Sequence, residues 1–163
     1  MNAESSEVDR LQSALAGLDR AIKAELSDAI VYFERGVIHG QLADPDSAVR
    51  DFTEAIRLDG SNAEAYYNRG VAYALLHQPI MALDDFTATI NLNPQHVDAY
   101  NNRAAAYLDL DQPHQAIQDA EETMRLDDQL STAYAIRAMA RARIGQEDLA
   151  KQDMEKAQTL GLR

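Results

Sequence analysis

The chain has 163 residues, with 27 acidic against 15 basic side chains and a net charge of −12, a sign that disfavours binding to a phosphate backbone. Hydrophobic residues make up 46% and aromatic residues 6%, with 7 Gly, 4 Pro, no Trp and no Cys. This balance favours helix over a turn-rich β fold, and the lack of thiols excludes disulfides, thiolate metal sites and a cysteine nucleophile. Apolar runs are too short to span a bilayer, and the opening residues lack the basic and apolar regions of a secretory leader. The expectation is a cytoplasmic protein without membrane insertion and without nucleic acid.

In chain order, residues 1–28 carry Leu11, Ala14, Leu15, Leu18, Ala21 and Ile22 at helical spacing. They predict an N-terminal helix that caps whatever follows it. From Ala29 the chain repeats itself. Registers of one constant length open at Ala29, Ala63, Val97 and Ser131. Their fourth positions hold Tyr32, Tyr66, Tyr100 and Tyr134, and their eighth Gly36, Gly70, Ala104 and Ala138. Ala48, Ala82, Ala116 and Ala150 share the twentieth position, and Phe52, Phe86, Ala120 and Met154 the twenty-fourth. Leu58, Leu92, Leu126 and Leu160 close the pattern at the thirtieth. A period of this length without insertion or deletion marks a supersecondary unit that buries its apolar face by stacking on its neighbours.

Within each unit two amphipathic helices are predicted. Tyr66, Gly70, Tyr73 and Leu76 form one stripe of the second unit, and Ala82, Phe86 and Ile90 form the other. Pro45, Pro79 and Pro113 recur between the stripes, where the missing proline N–H suits the first turn of the second helix. Small residues at the eighth and twentieth positions let the two helices approach, and a large residue at the twenty-fourth fills the space beside them.

These columns resemble the tetratricopeptide repeat family over residues 29–163. The resemblance implies an all-α fold, a right-handed superhelix of four helix–turn–helix repeats after an N-terminal capping helix. The implied division is 1–28, 29–62, 63–96, 97–130 and 131–163, in one continuous solenoid domain. Departures from the family pattern are local: only Pro94 occupies the helix-ending proline position, Ala120 replaces a large aromatic, and Arg141 stands where Tyr73 and Tyr107 stand. The last two are expected to loosen the packing of repeats three and four.

The seventh position is leucine in most family members, but here it is Arg35, Arg69, Arg103 and Arg137. Sixteen residues on stand Asp51, Asp85, Asp119 and Asp153. The expected device is an Arg–Asp pair linking the two helices of each repeat, a fork-shaped cation clamping a carboxylate. Pairing with the preceding repeat instead would oppose Arg35 with Gly17.

Chemistry-bearing patterns are scarce. His39, His77, His96 and His114 fall at four different registers and in no metal-ligand motif, and there is no phosphate loop or nucleophile elbow. The expectation is a non-enzyme with no cofactor and no metal. Its function would be protein binding, as a scaffold, adaptor or assembly factor, with a chaperone for a secreted or assembling substrate as the alternative.

The resemblance places six positions of each first helix on a concave wall. In repeat one these include Ile30, Phe33, Glu34 and Val37, and in repeat two Glu64, Tyr67, Asn68, Val71 and Leu75. Repeat three contributes Asp98, Asn101, Asn102, Ala105, Leu108 and Asp109, and repeat four Thr132, Ala135, Ile136 and Met139. The wall is apolar with acidic points, so the expected ligand is an extended or helical peptide with apolar anchors and basic flanks. Asn68 and Asn102 suit hydrogen bonding to a peptide backbone. A carboxylate clamp for acidic chaperone C-termini is not expected, because Phe33, Val37, Asp98 and Asn102 stand where its other side chains would, and only Asn68 matches. Residues 97–130 carry eight acids against two arginines, an element that would steer a basic partner. Leu149, Met154, Leu160 and Leu162 would face solvent after the last repeat and form a candidate homo-oligomer contact.

Overall fold

The computed structural model describes residues 3–24 and 28–161, and among them every regular element is helical. Helix α1 spans Ala3–Lys23 and is followed by α2 (Ala29–Gln41), α3 (Pro45–Leu58), α4 (Ala63–Leu75) and α5 (Pro79–Leu92). Then come α6 (Val97–Asp109), α7 (Pro113–Leu126), α8 (Ser131–Arg143) and α9 (Glu147–Thr159). The starts of α2, α4, α6 and α8 coincide with the four register openings, so the period of the sequence is the period of the hairpins. The chain divides into two compact units, Met1–His77 and Gln78–Arg163.

Local chemistry sets the helix ends. Asp28 accepts from the Ile30 and Val31 N–H groups at the start of α2, and Asp44 accepts from Ser47 N–H at the start of α3. Asn62 and His96 do the same for α4 and α6. Pro45, Pro79 and Pro113 each occupy the first turn of their helix.

A single turn geometry recurs after α2, α4, α6 and α8. Ala43, His77, Asp111 and Gly145, which share one register position, have φ of 57, 56, 55 and 76°. After α2 the Asp44 N–H reaches His39 O and the Ala43 N–H reaches Gly40 O, a left-handed cap that satisfies the last carbonyls. The bonds from Gln112 N–H to Tyr107 O and from Gln146 N–H to Arg141 O repeat it.

In the first unit, α2 packs on α3 around Ala48, Phe52 and Ala72, with Phe33, Val37 and Val49 at the margin. A methyl group on Gly36 would lie 2.8 Å from the Phe52 ring, so glycine is what admits the ring here. Phe33 meets the same ring at a centroid distance of 5.8 Å.

The second unit solves the same problem with other residues. Its core joins Ala104, Leu108, Ala116, Ala120, Ile136 and Ala140. One sequence-based expectation is corrected by this core. Leu108, Ala135 and Ile136 do not line a groove but are buried. Nor is Ala120 exposed by its small size: it is wholly buried, in one cluster with Leu108 and Ile136. Buried Thr123 donates its hydroxyl to Asp119 O one turn back, so the interior holds no unmet polar group there.

Candidate functional site

Two kinds of surface could carry function: the Arg–Asp pairs, and the apolar faces of α2 and α4 in the first unit and of α6 and α8 in the second. Among the pairs, Arg35 donates from Nε and Nη2 to the two carboxylate oxygens of Asp51 at 2.8 and 2.5 Å. Arg103 grips Asp119 in the same way at 2.7 and 2.8 Å, and Arg137 grips Asp153 at 2.9 and 2.7 Å. All three aspartates are buried. Arg69 and Asp85 occupy the same register, one in each unit.

The remaining guanidinium nitrogen makes a contact that the sequence pattern did not reveal. It reaches back sixteen residues, to Asp19 from Arg35, Thr53 from Arg69, Thr87 from Arg103 and Glu121 from Arg137. Arg35, Arg103 and Arg137 thus bond both their own hairpin and the preceding helix. A hydroxyl or carboxylate recurring at residues 19, 53, 87 and 121 was the available signal, masked because its identity changes from repeat to repeat. Tyr32, Tyr66, Tyr100 and Tyr134 lie beside the same four guanidinium groups at 5.6–6.0 Å. Arg141 joins in by donating to Asp153 at 2.7 Å, which explains an arginine in a tyrosine column.

Hydrogen bonds to the carboxylates, opposed by burial, raise the proton affinity of Arg35, Arg103 and Arg137. Guanidinium groups held this way stay charged and offer no proton at neutral pH. Among the described residues no buried side-chain nitrogen or oxygen lacks a partner, and no three candidate ligands gather into a metal site. Of the histidines, His96 caps α6 through Nδ1, and His39 stands 3.4 Å from Asp44.

The apolar face is different in kind. In the first unit a trough of about 320 Å³ runs between α2, α3 and α4. Val37, Asn68, Val71 and Leu75 form its sides, and Ala48 and Phe52 form its floor. Phe33 and Tyr67 are half-buried, Glu34 and Glu64 are exposed, and Leu75 is 63% exposed. The floor residues come from α3 and were read from sequence only as core. Asn68 donates its amide to Glu64 O within its own helix, so reaching a ligand with that donor means giving up this bond.

In the second unit, Asn101, Asn102 and Ala105 on α6 are half-buried, and Asp98 is exposed. Thr132 on α8 is exposed and donates to Asn101 Oδ1 at 3.1 Å, while Met139 is 47% exposed. Near the end, Leu149 is exposed and Met154 and Leu160 are half-buried; Leu162 lies outside the described residues. No helix among the described residues is long and apolar enough to cross a membrane.

Helical hairpins in constant phase, clamped internally and apolar on one face, define a helical-repeat protein. Family models described as tetratricopeptide repeat match residues 63–96 and 86–118, and one described as TPR repeat matches 45–76. The chain belongs to the tetratricopeptide repeat family. A search of curated proteins finds no match. Among solved structures, MamA is similar at 23% identity and a TM-score of 0.89, over 98% of this chain and 95% of that one. A MamA fragment from Desulfovibrio magneticus RS-1 aligns at 21% identity and 0.86, covering 92% and 85%. YrrB, described as a TPR protein with an unusual peptide-binding site, aligns at 22% identity and 0.86, covering 96% and 80%. At these identities the likeness establishes the fold, an all-α tetratricopeptide solenoid.

Proposed function

We propose that the protein is a non-catalytic interaction module, a scaffold, adaptor or assembly factor, that holds a peptide segment against the first helices of its hairpins. The observation that carries this reading is the trough of the first unit. It is open, has an apolar floor and mainly apolar sides, and carries no basic residue, while Glu34 and Glu64 stand exposed on α2 and α4. Apolar surface of this kind is stabilised by a partner's side chains, and the acids favour basic flanks on that partner. The Arg–Asp pairs support the same reading from the other side. Their charges are already satisfied within the fold, so they hold the hairpins rather than act on a substrate.

Panning a random peptide library against the wild-type chain, with Val71→Asp as the counter-selection, tests the reading. The expected result is enrichment of peptides with spaced apolar residues between basic ones, lost on the variant. If no peptide prefers the wild type to the variant, the trough is not a binding site.

A further inference from the structure

Helix α1 is built as the second helix of a hairpin, with no first helix before it among the described residues. Moved on by one repeat, Ala14, Leu18 and Ala21 fall on Ala48, Phe52 and Ala55 of α3. Asp19 accepts from Arg35 Nη1 as Thr53 accepts from Arg69 Nη1 and Thr87 from Arg103 Nη1. Thus α1 meets α2 through the bond that ties a second helix to the first helix of the next repeat, although it packs there more loosely than α3 does on α4.

The opposite face of α1 is open. On α3, the residues Ala48, Asp51 and Phe52 are 0, 4 and 2% exposed, covered by Phe33, Gly36 and Val37 of α2. On α1 the matching Ala14 is exposed, and Gly17 and Leu18 are only half-buried. A pocket of about 510 Å³ opens there, between these three residues and Phe33, Val37 and Ile38 of α2. Glu34 also lines it, and no basic residue does. Gly17 takes the place held in later repeats by the arginine-binding Asp51, Asp119 and Asp153, so an occupant of this face needs no arginine at that point.

A helix over this face cannot arrive through the usual tight turn. In the hairpins a proline opens the second helix at Pro45, Pro79 and Pro113, but the matching residue of α1 is Leu11, inside a helix that already began at Ala3. We infer that this pocket docks an amphipathic, basic helix from another protein, which completes the hairpin with α1. Its chemistry follows from how α2 covers α3: a large apolar residue, a small one three positions on, and an apolar one next to that, with a cation to meet Glu34. The inference does not rest on the trough: Val37 borders both, but Ala14, Gly17 and Leu18 belong to the pocket and Val71 to the trough.

The test uses a fluorescein-labelled, lysine-rich synthetic helix carrying Phe, Gly and Val at that spacing, titrated with the full chain and read by anisotropy. A Cβ on Gly17 would meet nothing within 4 Å, so Gly17→Phe sets a side chain into open space at the pocket. The expected result is saturable binding that Gly17→Phe and Leu18→Asp each weaken at least tenfold, with no fall in melting temperature for Gly17→Phe. Val71→Asp, in the trough, leaves it within twofold. Equal binding to Gly17→Phe, or equal binding of a peptide with the three residues reordered, overturns the inference. So does sedimentation showing a dimer that Gly17→Phe dissociates, since a second copy would then cover the pocket.

Discussion

The two compact units build the same Arg–Asp clamp into different networks. In the first unit one arginine serves two acids: Arg35 bonds buried Asp51 and partly exposed Asp19. In the second, one buried acid serves two arginines, because Asp153 takes bonds from both Arg137 and Arg141. Their cores diverge in parallel, with Gly36 facing the Phe52 ring in one and Ala104 and Ala120 surrounded by Leu108 and Ile136 in the other. What the repeat keeps constant is therefore the buried Arg–Asp pair and a closed core, and the residues around them change.

The largest expected effect comes from breaking the clamp where one buried acid serves two arginines. Asp153→Ala takes from Arg137 and Arg141 the buried acid they share, leaving them only the exposed Glu121 at 3.4 and 3.8 Å, and should cost roughly 3–4 kcal/mol in urea unfolding. Asp51→Ala leaves Arg35 still bonded to Asp19, so its loss should be smaller, about 2 kcal/mol. Equal losses would show that the second partner contributes nothing.

Next in size is the volume match. Gly36→Ala drives a methyl group into the Phe52 ring and should cost about 1–3 kcal/mol. Adding Phe52→Leu should recover part of that loss, a coupling read from the double-mutant cycle. Ala104→Gly creates no clash and should cost only about 1 kcal/mol, mostly through helix propensity.

The turn residues give a finer comparison. Ala43 holds the left-handed conformation that Gly145 holds without strain. Ala43→Gly should raise stability by about 0.5–1 kcal/mol, and Gly145→Ala should lower it by about 1 kcal/mol, as seen in thermal midpoints.

Smallest is the helix cap. Asp44 caps α3, but Gln112 at the matching place makes no cap bond to α7. Gln112→Asp should add about 0.5–1 kcal/mol near neutral pH. Hydrogen bonds from the Ser47 side chain and backbone hold the Asp44 carboxyl below its ordinary value of 3.8. Such a depressed group stabilises the fold above that ordinary value, and the contribution fades as pH falls through the lower folded value. Acid titrations of wild type and Asp44→Asn should therefore converge as pH falls through that lowered value.

Much of this was legible in the residues themselves. The prolines at 45, 79 and 113 and the tyrosine and alanine columns mark the helices because they answer to local geometry, which repeats with the chain. The pairing of Arg35, Arg103 and Arg137 with acids sixteen residues on was legible for the same reason. The reach of each arginine to the preceding helix was not, since Asp19, Thr53, Thr87 and Glu121 share a hydrogen-bonding capacity rather than an identity. Nor was the burial of Leu108 and Ile136. Their register suggested an open face, but they close on one core with Ala104, Ala116 and Ala140.

By itself the sequence determined the helical period, the hairpin turns, the clamp and the family, all consequences of short-range spacing and side-chain chemistry. Only the tertiary structure decided which apolar residues close a core and which remain open, as at the trough beside Val71 and the pocket beside Gly17. Exposure is a property of neighbours: Ala14 and Ala48 are the same residue in the same register, and a helix lying over one and not the other makes one surface and the other interior.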